Sequence, residues 1–118
     1  MFDIANISLD RVGDAIVIME RVVEKYPTLV HCVSAFDNLH VLWRYLASNR
    51  ITRETEQQCQ ATVRELVLAL STMLGDRNHD PRAAAAIIRI LSGVFFVAVE
   101  WEAGNPFLVP ASQPPAST

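Results

Sequence analysis

The stretch from Ala83 to Trp101 holds 15 apolar residues in 19, and any fold this chain adopts has to cover it. As a helix, a run of that length reaches across a bilayer. Arg89 lies inside it, however, and Asp80, Arg82, Glu100 and Glu102 crowd its ends. An arginine near the middle of a spanning helix costs at least about 2.5 kcal/mol, and the alanine-rich start contributes little against that. The expectation is therefore a helix buried in protein, with no membrane partner.

A chain of 118 residues, 51% of them hydrophobic, is one domain's worth of material and can bury a core without disulfide staples. Lys+Arg 10 against Asp+Glu 13 gives a net charge of −3, which excludes a polybasic nucleic-acid binder and favours no anionic surface. The length excludes a multidomain enzyme. Cys32 and Cys59 fall within apolar helical patterns rather than in a tight Cys spacing, so buried free thiols in a reducing compartment are expected. With no basic leader followed by a small-residue cleavage site, a cytoplasmic protein is expected.

Hydrophobic spacing divides the chain into four helical segments. Ser8 is a good N-cap with Asp10 in the first turn, and Leu9, Val12, Ile16, Met19, Val23 and Tyr26 follow at spacings of three and four. Pro27 disfavours helix at Tyr26, and Thr28 can cap a new start. The second helix, about Leu29 to Ser48, carries Leu29, Cys32, Val33, Phe36, Leu39, Trp43 and Leu46 on one stripe, with Asn49 able to close it. Thr52 caps a third helix, roughly Arg53 to Leu74, whose apolar positions are Cys59, Val63, Leu66, Val67, Leu70, Met73 and Leu74. Gly75 stops it. Asp80-Pro81 is a strong start signal for a fourth helix, which the spacing extends to about Ala103 before Gly104 and Pro106 end it. No alternation long enough for a sheet stands out. The fold expected is an all-α, four-helix antiparallel bundle, regular or irregular, spanning 1–104, with 105–118 a disordered or loosely docked C-terminal tail rich in Pro, Ser and Ala.

A fourth helix apolar almost all the way round exposes more surface than a bundle of one copy can hide. Ala86, Ile90, Gly93 and Val97 form one stripe, and Ser92-Gly93 is a thin place where another backbone could come close. On one continuous helix Arg89 and Glu100 project to nearly the same side, roughly 16 Å apart. Two such helices crossing antiparallel about Val94 and Phe95 would set Arg89 of one against Glu100 of the other, twice. The interaction surface expected on these grounds comprises Ala86, Arg89, Ile90, Gly93, Val94, Phe96, Val97 and Glu100, used for a homodimer or another protein.

Residues that carry chemistry are sparse. His31 and Cys32 could approach Asp76, His79 and Asp80, but adjacent helical residues diverge by about 100° and no zinc spacing is present. His40, near Phe36, Asp37 and Arg44, lacks a placed nucleophile, so a histidine bonded to a neighbour is the reading preferred to a general base. Arg44, Arg50 and Arg53, near Trp43 and Tyr45, are diluted by Glu54 and Glu56. No glycine-rich phosphate loop and no helical histidine pair occurs. No catalytic residue, cofactor or metal is therefore assigned. The expected function is a non-enzymatic helical interaction module, an adaptor, inhibitor or chaperone-like accessory factor acting as a homo-oligomer. The alternative is a sensor domain with an apolar ligand pocket lined by Phe36, Trp43, Phe95 and Phe96.

Overall fold

The computed structural model describes residues 6–49, 52–102 and 105–110. The chain is an all-α four-helix bundle carrying a small two-stranded sheet. Helix α1 covers Leu9–Lys25, α2 Val30–Ala47, α3 Arg53–Leu74 and α4 Pro81–Phe95; strands β1, Val97–Glu102, and β2, Asn105–Pro110, follow.

Capping chemistry sets most of the boundaries. Ser8, Thr52 and Asp80 each accept a backbone N–H from the first turn of the helix they precede, from Arg11, Thr55 and Arg82 respectively. Pro81 opens α4, where its missing N–H leaves no donor unpaired. Past the end of α2, Asn49 takes a left-handed conformation at φ 55, a role that its short amide side chain tolerates. One expected cap differs and one holds. Thr28 does not start α2, whose N-cap is Leu29 with no side-chain hydrogen bond, and Gly75 ends α3 at an ordinary φ of −75.

The helices close a ring in which each packs on its sequence neighbours and α1 meets α4. Opposite ends are brought together across the α1/α4 seam, Arg11 beside Gly93 and Lys25 beside Asp80, so these helices run antiparallel. The core is built from Val12, Ala15, Met19 and Val22 of α1, Cys32, Ala35, Leu39 and Leu42 of α2, Cys59, Leu66, Leu70 and Met73 of α3, and Ile87, Leu91, Val94 and Phe95 of α4. Small residues displace larger ones from the expected stripes: Ala15 and Ala35 are buried, while Trp43 is 39% exposed and lies against Gly13 of α1. Two buried threonines, Thr55 and Thr62, also sit in α3; the Thr62 hydroxyl donates to the Gln58 carbonyl at 2.7 Å, satisfying itself within the helix.

The largest departure from expectation lies at the chain's apolar run. α4 ends at Phe95 rather than at Ala103, because Phe96 turns left-handed (φ 57, ψ 38) and donates its N–H to the Leu91 carbonyl. The chain then reverses through an antiparallel hairpin pairing Val97 with Pro110 and Glu102 with Asn105. Residues 105–110, expected as the start of a tail, are β2; the remainder, 111–118, lies outside the described residues. Both prolines of β2 fall on one parity of the register, opposite Trp101 and Val97, and proline fits a strand only where its nitrogen faces away from the partner. Val97 and Val99 fold back against the core. No helix among the described residues is long and apolar enough to cross a membrane.

Burial pushes the Cys32 thiol up to about 11, and burial with the Glu56 charge pushes Cys59 up to about 12, so neither is a thiolate at neutral pH. A water-soluble disulfide reagent at pH 8 should therefore label neither thiol in the native protein on the timescale that completes labelling in urea. Rapid native labelling would contradict this packing.

Candidate functional site

Sequence alone pointed to α4, and the structure redistributes those eight residues. Ile90 and Val94 are buried in the core, Ala86 and Gly93 are half-buried, and Arg89 is exposed on α4. Phe96 is the left-handed residue after the helix, while Val97 and Glu100 belong to β1. The continuous helix that would align Arg89 with Glu100 does not exist, so the reciprocal crossing built on it is withdrawn. The surplus of apolar surface also shrinks, since α1, α3 and the hairpin cover most of α4, leaving Ile88 38% exposed. Gly93 is not pressed by any neighbour: a Cβ added there meets nothing within 4 Å.

Among the surface hollows, the seam between α1 and α4 holds two that adjoin. A hollow of about 430 Å3 is lined by Val17, Ile18, Val22 and Ala86, with Arg21, Lys25, Asp80 and Arg82 around it. A smaller one of about 170 Å3 continues past Ile18 to Arg11, Asp14, Arg89 and Gly93. Together they form a groove from Arg11 to Lys25, roughly 20 Å along α1. Val17 is 58% exposed and Ile18 36%, so α1 presents a second apolar face besides the one it buries. That face follows from the α1 sequence, where Val17 and Ile18 extend the apolar set beyond what α2 and α4 can cover.

Polar ties close both ends of the groove. At one end the Arg11 guanidinium donates to the Gly93 carbonyl at 3.0 Å. At the other, Asp80 joins the end of α1 to the start of α4 through three contacts: its backbone N–H donates to the Tyr26 hydroxyl at 2.7 Å, one carboxylate oxygen accepts from the Arg82 N–H at 2.9 Å and the other from Lys25 Nζ at 2.6 Å. The hydrogen bond from Lys25, then that from the Arg82 backbone, hold the Asp80 carboxyl below its ordinary 3.8.

The other candidate residues are engaged in structure. His31 pairs its Nδ1 with a Glu65 oxygen at 3.2 Å, linking α2 to α3. Burial acts to raise the Glu65 carboxyl, but hydrogen bonds from His31 and Ser34 and the nearby charges outweigh it and lower it on balance. His79 Nδ1 donates to the Asp76 carbonyl at 2.8 Å, holding the turn before α4. His40 stands edge-on to Phe36, centroids 4.7 Å apart, and among the described residues no hydrogen bond of the expected kind joins it to a neighbour. Among the described residues, no three His, Cys, Asp or Glu are grouped to hold a metal ion. Of the four aromatics expected to line a ligand pocket, Phe95 is buried and Trp43 lines a surface hollow with Asp37, His40, Val41 and Arg44. In the expected arginine cluster Arg44 and Arg53 are exposed, and Arg50 lies outside the described residues.

No family model matches the chain, and neither a curated protein nor a solved structure matches it significantly.

Two outcomes follow from this geometry. Because the folded Asp80 carboxyl is depressed, its contribution is fully present above the ordinary carboxylate range and is lost as pH falls through the folded value. Asp80→Asn should retain a cap acceptor and flatten that acid-side loss in urea midpoints compared between pH 7 and pH 3, whereas an unchanged pH profile would refute the role of the charge. Gly93→Ala, adding a methyl into open space on a helix, should raise stability by about 0.5 kcal/mol in equilibrium unfolding. A loss would mean that something packs there.

Proposed function

We propose that the chain is a non-enzymatic protein-interaction module whose docking face is the α1/α4 groove. The observation that carries the reading is the exposed apolar pair Val17 and Ile18 on adjacent positions beside a 430 Å3 hollow between two helices; the other exposed large apolar side chains, Val30, Trp43, Leu68, Ile88, Phe107 and Leu108, do not line this seam. Exposed apolar surface concentrated in a concave seam between two helices is a common setting for a partner side chain or helix. Supporting the non-enzymatic part, both thiols are sealed in the core, His31 is committed to the Glu65 contact that links α2 to α3, and His79 to a hydrogen bond within the turn before α4.

The surface differs from the one expected from sequence, which centred on the far end of a longer α4. Ala86, Arg89, Ile90, Gly93 and Val94 do line the groove, so five of those positions carry over, whereas Phe96, Val97 and Glu100 are not among its lining residues.

A photo-crosslinking residue placed at Val17 should yield a discrete adduct in native cells, and the same residue at exposed Gln57 on α3 should yield none. An adduct of twice 13.1 kDa would assign the contact to self-association. Matching adduct patterns at both positions, or none at Val17, would remove the reading.

A further inference from the structure

Charge on the groove restricts what can fill it. Arg11, Arg21 and Lys25 from α1 and Arg82 and Arg89 from α4 line the two hollows, against Asp14 and Asp80. This face is basic on a chain whose net charge is −3. Arg11 and Lys25 are occupied in tying the ends, but Arg21 on one wall and Arg89 on the other make no side-chain hydrogen bond or ion pair with the described residues.

Resting on the reading of this groove as a docking face, we propose that it receives an amphipathic helix of a partner protein, apolar along one stripe and flanked on both sides by Asp or Glu. Three features lead to that occupant. The groove's length accommodates roughly four helical turns. Its floor is small where the helices approach, with Ala83 and Ala86 at one end and Ala15 and Gly93 at the other, so a helix presenting side chains at i, i+3, i+4 and i+7 can lie deep against Val17 and Ile18. Arg21 and Arg89, without an ion-pair partner among the described residues, stand on opposite walls, and guanidinium forks match carboxylates, so the fitting ligand offers carboxylates on both flanks. A single-chain fatty acid offers one. A second copy docked through the same face would bring the same lining, five cations against two carboxylates, and so supplies fewer carboxylates than the groove's cations call for.

The test uses the full chain and three designed four-turn peptides in fluorescence anisotropy: a leucine stripe flanked by Glu, the same stripe flanked by Lys, and the Glu composition with the stripe scrambled. The Glu-flanked helix should bind, with both others weaker by about tenfold or more. Because Arg21 and Arg89 are exposed, the double variant Arg21→Glu, Arg89→Glu should keep its urea midpoint and transfer the preference to the Lys-flanked helix. Equal binding of the Glu- and Lys-flanked helices, equal binding of the scrambled peptide, or no binding by any of them would overturn the proposal. So would saturable displacement of the peptide by dodecanoate at lower concentration, or a sedimenting dimer that the double variant dissociates. If Val17 crosslinks specifically in cells while peptide binding ignores flank charge, the interaction reading stands and the acidic helix alone fails.

Discussion

The architecture depends on one backbone conformation, the left-handed turn at Phe96. The apolar run has to be enclosed by somewhat more than a hundred residues, and a straight helix through Ala103 would be about as long as α3 at 22 residues and longer than α1 and α2 at 17 and 18, leaving its far end with fewer neighbours to cover it. A non-glycine residue in the left-handed region costs on the order of 1–2 kcal/mol. That cost is offset by the N–H of Phe96 bonding to Leu91 and by a hairpin that returns Val97 and Val99 to the core while pairing its own backbone. One turn thus divides the apolar run into a helix covered by α1 and α3 and a strand that covers part of the same core.

How much of this could be read from the residues depends on which physical signal speaks locally. Four helices and their caps at Ser8, Thr52 and Asp80 were legible, because a side-chain acceptor before a periodic apolar stretch acts within one turn of the chain. The hairpin was also written in the sequence: Val97, Val99 and Trp101 alternate with Ala98, Glu100 and Glu102. It was hidden because the preceding residues are apolar at nearly every position, so the change from a period of 3.6 to one of 2 has no polar boundary to mark it. Gly104 and Pro106 then looked like a helix stop rather than a turn between strands.

The candidate site was less legible, for a different reason. Val17 and Ile18 fall outside the apolar stripe that spacing picks out in α1, and only the relative rotation of α1 and α4 decides that they stay uncovered while Ala15 and Val22 go in. Rotation is a tertiary quantity. Likewise, five of the eight expected interface positions reach the groove because they lie on the α4 side turned toward α1, not because Arg89 meets Glu100.

The two sides of the bundle are held by different means. Between α2 and α3, Gln58 donates to the Asn38 side chain and carbonyl and His31 meets Glu65, so polar ties lie along the length of the seam. Between α1 and α4 the polar ties sit at the ends, Arg11 on Gly93 and Lys25 on Asp80, and the middle is spanned by apolar side chains with room between them. End clamps fix the spacing of two helices without filling the space they enclose, so the groove can persist without an occupant. Lys25 and Asp80 belong both to the clamp and to the groove wall, which links the two functions: a partner seated between α1 and α4 would bind only the folded arrangement and, by mass action, would stabilise the docking of α4 while leaving the core untouched.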